Sequence, residues 1–143
     1  MQGSVSDGNA FAMGGIAGHA GLFSTADDLS KLLLQLVSGT SWVNETTMQL
    51  FTTIQNRSQS SRALGWDTND YTSNSYRGCG NLSSVTFTHT GYTGTQVCVD
   101  PTRRLITILL TNRCYPDDSP SSKTAIHRAR QAFNNAALRA VSQ

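Results

Sequence analysis

Residues 88–95 read Thr-His-Thr-Gly-Tyr-Thr-Gly-Thr, and they follow a run at 84–88 in which apolar and hydroxyl side chains alternate. The alternation predicts a half-buried β-strand that ends where two glycines arrive within four residues. Because glycine carries no Cβ, a ligand can approach the backbone closely at such a point. Consecutive positions would then offer an imidazole, a hydroxyl and a bare N–H group, which together suit an anion or an oxyanion.

His89 has two interpretations. It falls on the same face of the predicted strand as Val85 and Phe87. A single histidine on such a face is more often a core residue with satisfied hydrogen bonds than a functional group. Alternatively, its imidazole faces a ligand beside Thr90 and Gly91. The local pattern leaves both interpretations open.

Three further segments have the pattern of strands. Residues 63–67 form a short, largely apolar run, 95–99 form the next strand, and 105–111 are apolar on both faces, as expected of a central buried strand. The connection at 100–104 contains Asp-Pro and has the composition of a turn. Strands joined by short links predict an antiparallel meander.

Helical patterns flank the predicted strands. The first helix begins after Ser24 or Thr25, each of which has an aspartate three residues later, and it continues to about Val37. A second helix is predicted over 45–53 and a third over 122–141. The third is expected to bury a stripe composed of Ile126, Ala129, Phe133, Ala136 or Ala137, and Ala140. Its arginines are expected to face solvent: Arg128, Arg130 and Arg139.

These elements predict one α+β domain. It divides into a loop and helical part at 1–62, an antiparallel sheet at 63–119 and a C-terminal helix at 120–143. The chain is 38% apolar and only 14% charged, which is typical of a globular protein. Its net charge of +2 gives no basis for nucleic-acid binding. We expect a soluble chain without a signal peptide or a membrane-spanning segment, in a compartment that the sequence leaves open.

The three cysteines, Cys79, Cys98 and Cys114, show neither Cys-x-x-Cys spacing nor an even count. A zinc site or a disulfide framework is therefore not expected. Three unpaired thiols are the simplest interpretation, and one disulfide with one free thiol is the alternative. No metal and no cofactor are predicted.

Three motifs together resemble the serine β-lactamase and penicillin-binding-protein superfamily. One is the His-Thr-Gly at 89–91, which is similar to the third motif of that family, Lys-Thr-Gly or His-Thr-Gly on a strand that lines the active site. A second is Ala-Gly-His-Ala-Gly-Leu-Phe-Ser-Thr at 17–25. The third is Asn-Arg-Cys-Tyr-Pro at 112–116. The resemblance implies the C-terminal portion of a β-lactamase or transpeptidase-like fold, closest to class C enzymes and to related esterases and D-aminopeptidases.

The resemblance also implies site residues. His89, Thr90 and Gly91 would contact the reacting group, and the N–H of Tyr92 would form half of an oxyanion hole. Histidine in place of the family's lysine favours the esterase or peptidase relatives. Residues with an implied contact to an acyl substrate, either a small molecule or a peptide, are His19, Thr93, Asn112 and Arg113. For His19 the alternative is a structural hydrogen bond to a neighbouring loop carbonyl, and for Arg113 it is a capping role at the sheet edge.

Part of the expected chemistry is missing from the sequence. The family's acyl transfer uses a nucleophilic serine in Ser-x-x-Lys, yet the residues three positions before Lys31 and Lys123 are Asp28 and Pro120. We therefore expect the nucleophile outside this chain, on the missing N-terminal half of the fold. The alternative is that the chain is a non-catalytic remnant or binding module.

Overall fold

A computed structural model describes residues 3–38, 43–70 and 78–142. Within these ranges the chain forms, in order, α1 (Gly8–Ala12), α2 (Ala26–Val37), α3 (Glu45–Thr52), β1 (Asp67–Thr68), β2 (Phe87–Thr90), β3 (Gln96–Asp100), β4 (Leu105–Leu109) and α4 (Pro120–Val141). This α+β architecture is the predicted one. The described helices include none with both the length and the hydropathy that a bilayer-spanning segment requires.

The four strands form one antiparallel sheet in the order β1-β2-β3-β4, so the predicted meander is confirmed. Its register pairs His89 with Val97 and Thr90 with Gln96. The strand predicted at 84–88 begins later, because a turn closed by Thr86 N–H and Ser83 O precedes it. The strand predicted at 63–67 is likewise displaced to β1.

Helix α2 covers one face of the sheet. Thr25 is its N-cap, and the Thr25 hydroxyl accepts a hydrogen bond from Asp28 N–H at 3.1 Å, which selects one of the two predicted caps. Leu33 packs with Phe87 and Val99 in the first of two apolar clusters. The apolar side chains of α2 are only partly buried, since Leu32 remains 44% exposed.

Helix α1 was not predicted, because the glycines and polar residues at 3–9 are typical of irregular chain. The helix forms because Asp7 caps it: the Asp7 carboxylate accepts a hydrogen bond from Ala10 N–H at 2.8 Å. Ala10 is completely buried. A single well-placed capping carboxylate thus overrides the composition of the segment.

Helix α4 covers the other face, but the predicted stripe is right only in part, since Ile126 is buried as predicted and two polar residues replace alanines of the stripe. Ala129 and Ala140 are exposed, whereas Ile126, Arg130 and Asn134 are buried. The prediction that Arg130 faces solvent is therefore wrong. Arg130 is buried because the sheet presents polar groups to this helix, and polar helix residues are their complementary partners.

Asn134 provides the polar match between α4 and the sheet. Its amide donates to Gln96 Oε1 at 3.0 Å and to the Gly78 carbonyl at 3.2 Å, while the Thr107 hydroxyl donates to Asn134 Oδ1. These groups are buried, where an unmade hydrogen bond costs about 1–3 kcal/mol. The network therefore determines how α4 is registered against β3 and β4.

Cys79 and Cys98 form a disulfide, and Cys114 is the free cysteine. The prediction of three unpaired thiols is wrong, because the fold brings a loop 19 residues away in sequence against β3. Both sulfur-bearing residues are completely buried beside Leu82, in the second apolar cluster. The bond ties this loop to the strand next to β2.

We predict that removal of the disulfide destabilises the fold. A Cys79→Ala/Cys98→Ala double variant should lose about 3 kcal/mol of unfolding free energy, because the bond closes a chain segment of this length in the unfolded state. Urea denaturation followed by circular dichroism measures the loss. Cys114→Ala is the matched control, and an equal loss in the control and the double variant would contradict the prediction.

Candidate functional site

Backbone hydrogen bonds within the turn that follows β2 hold this turn closed. Gly91 N–H donates to Thr95 O at 2.8 Å, and Gly94 N–H donates to Gly91 O at 3.1 Å. Gly94 has φ = 106°, a conformation that side-chain-bearing residues rarely adopt. At Gly91 a Cβ would collide with the Thr95 hydroxyl. The shape of this turn, residues 91–95, therefore requires glycine at position 94, and a side chain at position 91 would displace the Thr95 hydroxyl.

Arg113, just beyond β4, holds two carbonyls of the turn. Its Nε donates to Tyr92 O at 2.7 Å, and its backbone N–H donates to Thr93 O at 2.8 Å. Its guanidinium lies over the Tyr92 ring, 4.3 Å from the centroid. The guanidinium also pairs with Asp118 and donates to Ser122 Oγ at 3.2 Å. These are the contacts of a residue that supports the sheet edge, and substrate binding by Arg113 stays a prediction.

Arg130 reaches the same turn from α4. Its Nε donates to Gly94 O at 3.1 Å, and its Nη2 donates to Gly91 O at 2.9 Å and to Thr95 O at 3.0 Å. The residue is only 5% exposed. Together, Arg113 and Arg130 engage all five carbonyls of the turn.

The backbone N–H of Tyr92 differs from the carbonyls of the turn, because it has no hydrogen-bond partner among those found in the described residues. Among the backbone hydrogen bonds of the described turns, loops and caps, none uses this donor. The carbonyl of the same peptide unit, Gly91 O, is engaged by Arg130 and Gly94. Because C=O and N–H point in opposite directions in a trans peptide, the Tyr92 N–H points away from α4. The turn therefore offers an uncommitted donor on a rigid backbone.

His89 and Thr90 lie on the strand immediately before this donor, and both are exposed. Neither side chain has a hydrogen-bond partner among those found in the described part of the chain. The His89 ring meets Trp66 edge to face, with 6.4 Å between ring centroids. The interpretation of His89 as a core histidine is thus wrong. Burial ends at this point of the strand: Phe87 and Thr88 are buried, and the next two residues are not.

Tyr92 is fixed at its other end by Asp118. The Tyr92 hydroxyl donates to Asp118 Oδ2 at 2.6 Å. This hydrogen bond, followed by that from Arg113, holds the pKa of the Asp118 carboxyl below its usual value. Both groups favour the ionised carboxylate because they donate to it.

The remaining predicted site residues have mixed positions. Asn112 is exposed, and its Oδ1 accepts a hydrogen bond from Cys114 N–H at 3.1 Å. Thr93 is half-buried and contributes its carbonyl to the Arg113 contact described above. A cavity of about 250 Å³ opens between the end of β4 and α4. Its wall includes Asn112 and Arg113, together with the mostly small or apolar side chains of α4.

His19 is joined to α1 instead of to the turn. Its Nε2 lies 3.0 Å from Asp7 Oδ1, and none of its contacts in the described ranges reaches residues 88–95. The hydrogen bonds from Ala10 N–H and then from His19 keep the pKa of the Asp7 carboxyl below its usual value. The contact agrees with a structural role, although its partner is a carboxylate and not the predicted loop carbonyl.

Three residues near the turn were missed by the sequence analysis: Arg130, Asp118 and Trp66. For Arg130 the only signal was its four-residue spacing from Ile126 and Asn134, which hydrophobicity does not reveal. Within the described residues, no group of three or more histidine, cysteine, aspartate or glutamate side chains is placed to hold a metal ion.

The antiparallel sheet with its helices is consistent with part of a β-lactamase-like fold. The sequence model of the family named Beta-lactamase matches residues 2–131, and the chain belongs to this family, within the serine β-lactamase and penicillin-binding-protein superfamily. It is thus a member of a serine hydrolase family. No solved structure matches the chain.

Two curated relatives illustrate the similarity. The chain is 36% identical over 132 residues to the N-acetylmuramyl-L-alanine amidase of Bacillus subtilis (strain 168), covering 85% of this chain and 30% of the relative. It is 33% identical over 119 residues to an Escherichia coli (strain K12) protein whose name proposes a D-alanyl-D-alanine carboxypeptidase, covering 79% and 27%. The chain therefore spans less than a third of the length of these relatives.

We predict a pH-dependent contribution from Asp118. Because its folded pKa lies below the unfolded value of 3.8, the carboxylate contact stabilises the fold above that pH and is lost as the pH falls through the folded pKa. An Asp118→Asn variant should be less stable than the wild type near neutral pH, with the difference shrinking in acid. Urea unfolding at a series of pH values measures it.

The matched control for this prediction is Asp117→Asn, at an exposed neighbouring position. It should show no such pH-dependent difference. A constant stability gap between wild type and Asp118→Asn at all pH values would contradict the assignment.

Proposed function

We propose that this chain supplies one half of a serine acyl-transfer site, with the nucleophilic Ser-x-x-Lys carried by polypeptide outside the 143 residues. The observation that carries the proposal is the uncommitted Tyr92 N–H on a turn whose carbonyls are all engaged. Preorganised donors of this kind stabilise the negative charge that develops on a carbonyl oxygen in acyl transfer. His89 and Thr90 stand beside this donor on the same strand.

In the proposed reaction, a serine Oγ from the partner polypeptide forms a bond to the substrate carbonyl carbon. The carbonyl oxygen becomes an oxyanion and accepts a hydrogen bond from the Tyr92 N–H. The Thr90 hydroxyl donates a hydrogen bond to a neighbouring substrate oxygen. His89 assists the transfer of the serine proton towards the leaving group, whose bond to carbon then breaks. Water then forms a bond to the same carbon, the bond from that carbon to the serine Oγ breaks, the proton lost by the water returns to Oγ, and the acid is released. The chain's own contribution is therefore binding, charge stabilisation and proton transfer.

The relatives' names support amide bonds as the substrate class. One is named an amidase, and the other carries a name that proposes a carboxypeptidase for D-alanyl-D-alanine. We propose a peptide or small-molecule amide with a D-amino acid, ahead of an ester. Thr93, Asn112 and Arg113 would contact the substrate beyond the scissile bond.

Exposed apolar residues support the proposal that further polypeptide packs against the chain. Ile16 is 90% exposed, Leu22 85% and Met13 69%, all within residues 13–22. Strand β4 is also the edge of the described sheet, so its outer backbone groups have no strand beside them. Contiguous exposed apolar surface commonly marks an interface. We propose that the remainder of the family fold, including the nucleophile, is the partner of this surface.

The proposed function is tested by covalent labelling. A fluorophosphonate and a penicillin are added to this chain alone, and to the chain together with the polypeptide encoded upstream, and intact masses are recorded. We expect a stoichiometric adduct only on the upstream polypeptide. An adduct on the 143-residue chain itself would contradict the missing nucleophile.

The roles of individual residues follow from variants in the same assay. His89→Ala should slow adduct formation about 100-fold or more, within the range for a general acid or base. Ser84→Ala, at an exposed position before the same strand, is the control and should label at the wild-type rate. The absence of any adduct in the wild-type assembly would instead favour the non-catalytic binding module, for which the absent Ser-x-x-Lys is the supporting observation.

A further inference from the structure

We infer that Arg130 is a positioning residue for the oxyanion donor, holding the Gly91–Tyr92 peptide from the side opposite the substrate. This inference rests on the proposed function, in which the Tyr92 N–H is that donor. Arg130 lies on α4, 38 positions beyond Tyr92 in the sequence, and would not touch substrate. Its effect would pass through a single peptide unit.

The geometry of the peptide unit gives the first argument. The six atoms of a peptide lie in one plane, and rotation about the C–N bond is strongly opposed. Arg130 Nη2 binds Gly91 O at 2.9 Å, and the same nitrogen binds Thr95 O at 3.0 Å. Orienting the Gly91 carbonyl towards α4 therefore orients the Tyr92 N–H in the opposite direction. A fixed N–H direction is what an oxyanion donor requires.

Charge gives the second argument. A guanidinium remains protonated in proteins, so its hydrogen bonds to carbonyls are charge-assisted. In the poorly hydrated interior, a hydrogen bond accepted by one end of a peptide strengthens the donor at the other end. Arg130 is 5% exposed, so water screens it little. The Tyr92 N–H would thus be a stronger donor than an ordinary backbone amide.

Arg113 and Arg130 differ in the carbonyls that they bind. Arg113 binds the carbonyls of Tyr92 and Thr93, which belong to the following peptide units. It therefore supports the turn without controlling the Tyr92 N–H directly. Arg113 is also neutralised by its ion pair with Asp118. Of these two residues, only Arg130 binds the carbonyl of the peptide that carries the proposed oxyanion donor.

The first experiment is nuclear magnetic resonance on the isotope-labelled chain alone. In the wild type we expect a through-hydrogen-bond coupling between Arg130 Nη2 and the Gly91 carbonyl carbon. Arg130→Lys and Arg130→Met should change the Gly91 carbonyl shift and rotate the Tyr92 N–H vector, as read from residual dipolar couplings. Arg128→Met, at an exposed position on the same helix, should change neither.

The second experiment uses the chain assembled with its nucleophile-bearing polypeptide. We expect Arg130→Met to lower kcat about 10- to 100-fold, the usual range for a supporting residue, with KM changed less than about threefold. Affinity for a tetrahedral boronate should fall by the same factor as kcat. Arg130→Lys, which keeps the charge but only part of the hydrogen bonding, should recover part of the loss.

The outcomes distinguish this inference from the proposed function. If the wild-type assembly is never acylated, the proposed function fails, while the resonance measurements still decide whether Arg130 orients the peptide. An unchanged Tyr92 vector in Arg130→Lys overturns the inference, as does a wild type without the coupling. An Arg130→Met variant with a raised KM and an unchanged kcat overturns it as well. So does a fall in kcat no larger than that of Arg128→Met. Arg130→Lys and the wild-type coupling keep the test valid if Arg130→Met fails to fold.

Discussion

The hydrogen bonding of the five carbonyls of residues 91–95 is the constraint on which the rest of the site depends. Two arginines from different elements, Arg113 after β4 and Arg130 on α4, bind these carbonyls. Because both arginines are anchored by other parts of the fold, the backbone donors of the turn are aimed by tertiary structure.

The polar layer between α4 and the sheet explains how Arg130 reaches its position. Asn134, one helical turn further along, is held by Gln96 and Thr107 and determines the register of α4. Arg130 then lies over the turn. Two buried polar residues at a spacing of four on one helix thus perform linked tasks, since one locates the helix and the other binds the turn. A buried polar network of this type is stabilising only when its members are satisfied.

The interior of this chain is well packed, whereas part of its surface exposes large apolar side chains. The disulfide, the two apolar clusters and the polar layer give the sheet a consistent interior. By contrast, the segment around Ile16 and Leu22 exposes large apolar side chains. This contrast agrees with the coverage of the two relatives described above, since the chain spans 30% and 27% of their lengths. The interior is formed by contacts among residues of this chain, whereas the exposed apolar residues are those that the proposed partner would cover.

The sequence by itself determined the family, the antiparallel meander, the start of α2 at one of two possible caps, and the place of His89 and Thr90 at the end of a strand before Gly91. Those features depend on local patterns: alternation along a strand, a hydroxyl three residues before an acid, and glycines in a turn. Tertiary structure decided the exposure of His89, the Cys79–Cys98 disulfide and the burial of Arg130. Each depends on groups distant in sequence that meet only in the fold. Hydrophobic periodicity assigned Arg130 to solvent because it cannot detect a buried cation whose carbonyl partners lie about 35 residues away.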